Sequence, residues 1–140
     1  MVKLKIHIVN LKGNGFHPLI ELQVNGIYIP VIIDTGASQT VFDFDWINKH
    51  CMEMLLTQAD NGMGLGEEEF NTWNGLIDKF KIGDITIRNY KCTVIDLWHI
   101  NQMYEKLGLS KVVAILGSDI MLHFNCEISY KERTIIFYEL

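Results

Sequence analysis

An aspartate stands at position 34, directly behind the apolar run Ile29 to Ile33 and ahead of Thr35-Gly36-Ala37-Ser38. A strand apolar on both faces belongs inside a core, so this carboxylate leaves a buried strand into a turn that Gly36 lets the chain make. A carboxyl group in that place can take a proton from water or give one to a carbonyl oxygen, the two operations needed to hydrolyse an amide without a metal or a covalent intermediate. Two carboxyls sharing one proton can perform both. Taken alone, Asp-Thr-Gly after a strand is most often only a turn, because Asp caps and glycine relieves the backbone. Its meaning therefore depends on what surrounds it.

Rival chemistries find little support. Cys51, Cys92 and Cys126 are odd in number, widely spaced and contain no C-x-x-C, so neither a disulfide framework nor a zinc site is expected. Buried thiols in a reducing compartment fit better. The histidines are scattered, and His50-Cys51 lacks the further ligands a metal needs, so no metal and no cofactor are assigned. Gly62-Met63-Gly64-Leu65-Gly66 is not a G-x-G-x-x-G and lacks the strand-then-helix setting of a nucleotide loop.

The elements that must position Asp34 can be read from periodicity. Lys3 to Val9 alternates with Leu4, Ile6 and Ile8 on one face, and Gly13-Asn14-Gly15 separates it from a second alternating run, Leu19 to Val24. Asn25-Gly26 reads as a two-residue hairpin turn into the strand Ile27 to Ile33, which carries Asp34. Asp43 is placed to cap a short helix over Asp45 to Cys51. Leu76 to Ile82, Ile85 to Ile87 and Tyr90 to Ile95 read as strands divided by turns at Gly83-Asp84 and Arg88-Asn89. Trp98 to Leu107 has a helical period, with Ile100, Met103, Tyr104 and Leu107 on one face and Gly108 ending it. Val112 to Leu116 is an apolar strand, Ser118 or Asp119 can cap a helix through Phe124, and Glu127 to Tyr138 forms a closing hairpin around Tyr130 to Arg133.

The chain has 140 residues, enough for one real core and not for two lobes of that size, so residues 1–140 read as a single domain. Hydrophobic residues make up 49% and charged ones 21%, ordinary globular values that point to neither disorder nor a membrane class. Its longest apolar runs are too short to span a bilayer. A net charge of -5 with no Lys/Arg cluster argues against a nucleic-acid partner. Lys3, Lys5 and His7 interrupt the N-terminal apolar residues as strand alternation would, not as an export signal would, so a cytoplasmic location is expected.

Extended through Gln39-Thr40-Val41, the motif becomes D-T-G-A-S-x-T-V, which resembles the active-site signature of the retropepsin-like aspartic proteases. Ala114-Ile115-Leu116-Gly117-Ser118-Asp119-Ile120 is similar to the family's apolar-apolar-Gly segment, and the two matches come in the family's order and at about its spacing. The resemblance implies a mostly β, closed retropepsin-like barrel with two or three short helices, acting as an aspartic endopeptidase on a peptide or protein substrate. It places Asp34, Thr35 and Gly36 in the catalytic loop, Ala37 and Ser38 against substrate backbone, and Leu116 and Gly117 beneath the loop as support. The glycine-rich segment beginning Gly62-Met63-Gly64 takes the place of the flap that closes over substrate, although it lacks the usual adjacent glycine pair and runs on into Glu67-Glu68-Glu69. Apolar pockets would draw on Ile32, Val41, Met63, Leu65 or Ile115, depending on strand register.

The chain holds only one Asp-Thr-Gly. None of Asp43, Asp45, Asp60, Asp78, Asp84, Asp96 and Asp119 is followed by Thr-Gly or Ser-Gly, so the second carboxylate is expected from Asp34 of another copy across a two-fold axis. Where pepsin-like enzymes usually carry a hydroxyl residue, Ala37 withholds a donor from the carboxylate, which implies a working pH nearer neutral than that of a digestive pepsin. The competing expectation is a retropepsin-fold peptide-binding or dimerisation module with weak or no hydrolysis.

Overall fold

The N-terminal strand breaks at Ile6, and the break decides the architecture. In the computed structural model, which describes residues 1–51, 57–58, 62–63 and 69–139, the expected single strand is two: β1 (Val2–Lys5) and β2 (His7–Asn10). Between them Ile6 is buried and its N–H donates to the Arg133 carbonyl at 2.8 Å, so the chain changes sheets there. Alternation alone carries no mark of such a switch, because both halves keep the same inward face.

β3 (Phe16–Val24) and β4 (Ile27–Ile33) form the expected hairpin, with Val24 opposite Ile27. Asn25 and Gly26 take φ of 49° and 84°, the left-handed pair that a two-residue turn of this twist demands. The Asn25 side chain also accepts from the Lys79 N–H at 3.1 Å, fastening the turn to a later strand. β5 (Val41–Asp43) leads into α1 (Phe44–His50), capped as expected by Asp43, whose carboxylate accepts from the Trp46 N–H at 3.3 Å. Three short strands follow, β6 (Thr57–Gln58), β7 (Gly62–Met63) and β8 (Glu69–Phe70).

β9 (Trp73–Ile82) and β10 (Ile85–Ile95) are a long antiparallel pair. The turn expected at Arg88-Asn89 is absent: Arg88 pairs with Lys79 and Tyr90 with Ile77 in one unbroken register. Asn89 takes φ 52° inside the strand, a conformation Asn tolerates better than most residues. α2 (Trp98–Lys106), β11 (Ala114–Leu116), α3 (Ser118–His123), β12 (Glu127–Ser129) and β13 (Thr134–Phe137) complete the chain.

The main sheet runs β2-β3-β4-β11-β5-β10-β9-β6, and a further pairing of β3 with β9 closes its six central strands into a barrel. Within it β4 is parallel to β11 and β5 is parallel to β10. The fold is therefore a mostly β, closed barrel with three short helices among the described residues, as the resemblance implies. A separate sheet, ordered β1-β13-β12, lies outside the barrel. No helix among the described residues is long and apolar enough to cross a membrane.

Two cores explain the unbroken apolar run of β4. Ile29, Val31 and Ile33 belong to the barrel interior with Phe42, Ile77, Phe80 and Val94, whereas Ile32 faces a second cluster with Leu11, Leu19, Leu97, Tyr104 and Val112. Burial on both faces favours an apolar residue at every position. The second cluster sits under α2, where Tyr104 is buried and Ile100, Met103 and Leu107 pack partly against it. Asn101 shares that inner face, satisfied by the Val112 N–H at 2.7 Å and carbonyl at 3.0 Å, which locks the helix to the approach of β11.

Candidate active site

The parallel pair of β4 and β11 delivers two chain ends side by side. Ile33 pairs with Leu116, and the next residue, Asp34, donates its N–H to the Leu116 carbonyl at 3.0 Å. The chain then turns, with the Ala37 N–H on the Asp34 carbonyl at 3.1 Å. Inside this turn the Gly36 N–H donates to Asp34 Oδ1 at 2.9 Å. A Cβ on Gly36 would sit 3.2 Å from that oxygen, a tight contact that the glycine avoids. Asp34, Thr35, Gly36 and Ser38 are exposed in the single chain, and Ala37 is half-buried.

A second loop holds the first from beneath. A Cβ on Gly117 would lie 2.6 Å from the Gln39 carbonyl carbon and 2.9 Å from the Ala37 oxygen, closer than side chains stand to backbone. Gly117 is thus required by the crossing. Its N–H donates to Thr40 Oγ1 at 2.9 Å, and the Thr40 hydroxyl and N–H donate in turn to Asp119 Oδ1 at 2.7 and 2.9 Å. Ser118 donates its N–H to the Ala37 carbonyl at 2.8 Å and its hydroxyl to the carbonyls of Thr35 and Ala37 at 3.1 and 3.0 Å.

These bonds correct one expectation. Gly117 occupies the cap position of α3 and no side chain caps the helix; Ser118 reaches back to the Asp34 loop instead. Asp119 turns the same oxygen to Thr40 and to the Ile120 N–H, the latter at 2.8 Å. Thr40, buried at the centre of this network, was not singled out from the sequence, where a Thr in a motif carries no sign of a partner 79 positions away.

An open cavity of about 450 Å³ meets Asp34, lined also by Pro18, Ile33, Thr35, Ile128 and Tyr130. Register settles which strand residue faces it. Ile33 does, whereas Ile32, Val41 and Ile115 associate with the cluster under α2. A neighbouring cavity of about 480 Å³ joins Thr35 and Ser118 to Met121, Leu122, Cys126 and Ile128. Burial raises the Cys126 thiol to about 11 and the Cys92 thiol to about 12, so neither offers a thiolate nucleophile at neutral pH.

β7 and β8 form an antiparallel pair with Gly62 opposite Phe70 and Met63 opposite Glu69. Gly64, Leu65 and Gly66 lie outside the described residues. One residue near Asp34 escaped sequence reading. His17 Nδ1 is 2.8 Å from the Tyr104 hydroxyl, burial lowers its pKa, and the Asp34 charge partly opposes that shift.

The aspartyl protease family model matches residues 20–120, and the chain belongs to that family. Among solved structures, a retropepsin-like aspartic protease from Rickettsia conorii is similar with a TM-score of 0.54 and 19% identity, over 98% of this chain and 94% of that one. EIAV protease bound to the inhibitor HBY-793 gives a TM-score of 0.58 and 20% identity, over 86% and 99%. The retroviral protease-like domain of Ddi1 from Leishmania major gives 0.57 and 14%, over 87% and 88%. At these identities the likeness is one of fold. No curated protein matches the sequence.

Proposed function

We propose that the chain is an aspartic endopeptidase that works as a homodimer, with water activated between Asp34 of one protomer and Asp34 of its partner. The observation that carries this reading is the Asp34 carboxylate itself, exposed on a loop that the Gly117 crossing holds rigidly. Among the described residues the carboxylate is offered one backbone donor, from Gly36, which leaves acceptor sites for water and a second carboxyl. One carboxylate takes the proton of the attacking water while the other, protonated, gives its proton to the peptide carbonyl oxygen. Neither can serve without the other, because two like charges in contact resist joint ionisation and so share one proton.

In this reading Thr35 bridges the two loops across the axis through its hydroxyl, and the backbone around Gly36, Ala37 and Ser38 contacts the substrate. Gly62, Met63 and Gly64 are assigned to substrate binding. The cavity lined by Ile33 and Tyr130 receives an apolar side chain of a peptide or protein substrate. The inhibitor carried by the EIAV enzyme supports a cleft of this kind.

The test compares the wild type with Asp34→Asn on a peptide library at several pH values, with sedimentation alongside. Cleavage by the wild type that disappears in the variant, from a species that sediments as a dimer at working concentration, is the expected result. Cleavage surviving in Asp34→Asn would remove that residue from the mechanism. Peptide retention without hydrolysis by either protein would favour a binding or dimerisation module.

A further inference from the structure

β3 passes Asp34 on the side away from β11. The antiparallel register pairs Leu19 with Ile32, and continued two residues further it sets His17 opposite Asp34. Residues that a register sets opposite one another share a face and are neighbours, and the Asp34 charge is felt at the imidazole. His17 is fixed from the other side by Tyr104, through the 2.8 Å bond to Nδ1 and a stacked ring at 5.8 Å between centroids. That tyrosine comes from the buried face of α2 and cannot retreat into solvent.

We infer that His17, seated on Tyr104, is a positioning residue for the protonation of Asp34, a cation on the acid side of the pH range and neutral above it, which widens the range over which the carboxyl pair holds a single proton. The inference rests on the protease reading given above for its catalytic consequence, though not for the placement of His17 in the register opposite Asp34.

The surroundings of His17 suit this role. From β2 its cross-strand partner is Val9, and its chain neighbours are Phe16 and Pro18, all uncharged. From α2 comes the Tyr104 phenol, which burial pushes up to about 12 and which is therefore neutral throughout. From the end of β4 comes Asp34, the charge whose field reaches the ring. Burial keeps the imidazole neutral to a lower pH than usual, so its positive charge develops toward the acid side. A cation there favours the anion and holds off that second protonation. At higher pH the neutral ring leaves the shared proton in place. The Tyr104 hydroxyl follows the change without losing its bond, because it donates to a neutral Nδ1 and accepts from a protonated one.

Two measurements test this. NMR titration of the imidazoles in wild type and Asp34→Asn needs no activity: the His17 midpoint should fall in the variant while the other four histidines stay in place. An unmoved His17 would overturn the inference. The second measurement is the pH profile of kcat/KM. His17→Gln should move the acid limb toward neutral by about half a unit to one unit, a three- to tenfold loss at the foot of that limb. His17→Lys should restore the acid limb and draw the neutral-side limb toward acid, because its charge never leaves. A bell that only shrinks in both variants, with its limbs in place, would show a structural role and sink the proposal. A wild type that cleaves nothing would count against the protease reading, and the titration would still decide whether His17 and Asp34 sense each other.

Discussion

β4 and β11 are parallel neighbours, and each is followed by an aspartate with a different fate. Asp34 comes at once after β4 and keeps most of its acceptor capacity, with the Gly36 N–H on Oδ1. Asp119 comes three residues after Leu116 and concentrates three donors on Oδ1, the Thr40 hydroxyl and N–H and the Ile120 N–H. Identical side chains leaving adjacent strands of one sheet are thus assigned to opposite purposes by the number of donors each meets. A carboxylate committed to the fold has little left for a reaction, and one spared by the fold can bind water.

The largest way to break the contrast is to neutralise Asp34. Asp34→Asn should lower kcat/KM by about 10⁴-fold while leaving Tm nearly unchanged, measured on the same preparation. Asp119→Ala should do the reverse at first order, costing about 3 kcal/mol and roughly 10 °C in Tm because buried Thr40 loses its acceptor. If the two variants lose stability equally, the division of labour fails.

Asp43 extends the comparison to a third carboxylate, one with both oxygens engaged. Oδ1 accepts from the Leu97 N–H at 3.0 Å and Oδ2 from Trp46, so α1 is tied to the start of α2. Burial nevertheless raises its pKa, against the opposing pull of those two donors. The folded state therefore keeps a proton that the unfolded state has released, and the stability from this group is fullest below the unfolded value of about 3.9 and is lost as pH rises through the folded value. Asp43→Asn, never charged, should start less stable for want of one acceptor. Its Tm deficit should then narrow as pH rises from about 3.5 to about 7. A deficit that widens would reverse the sign of the argued burial penalty.

The smallest expected effect sharpens the contrast by moving Asp34 toward the condition of Asp119. Ala37→Ser adds a hydroxyl near the carboxylate, and a second donor stabilises the anion. The acid limb of the pH profile should shift downward by a few tenths of a unit to about one unit. No shift would mean that residue 37 does not reach the carboxylate.

The sequence was most legible where structure is local. Asn25-Gly26, the double-sided burial of Ile29 to Ile33 and the Asp43 cap follow from a few neighbouring residues, and the structure contains each of them. It was least legible where long-range pairing overrides local pattern. Ile6 keeps perfect alternation while its N–H commits to Arg133, and Asn89 carries turn chemistry inside a strand whose register with β9 continues on either side of it. Ser118 and Asp119 look like helix caps to any local reading, yet the loop at residues 35–40 claims both side chains first. Hydrogen bonds spanning most of the chain leave no trace in spacing.

That span has a consequence in time. A chain growing from the ribosome presents Asp34-Thr35-Gly36 long before it presents the glycine and the carboxylate that pin the loop, and Thr40 waits 79 residues for Asp119. At ordinary synthesis rates this is roughly 4 to 16 s. Throughout that interval the motif is complete as sequence and unformed as a site, so the nascent chain carries no functioning centre until nearly all of the domain has been made.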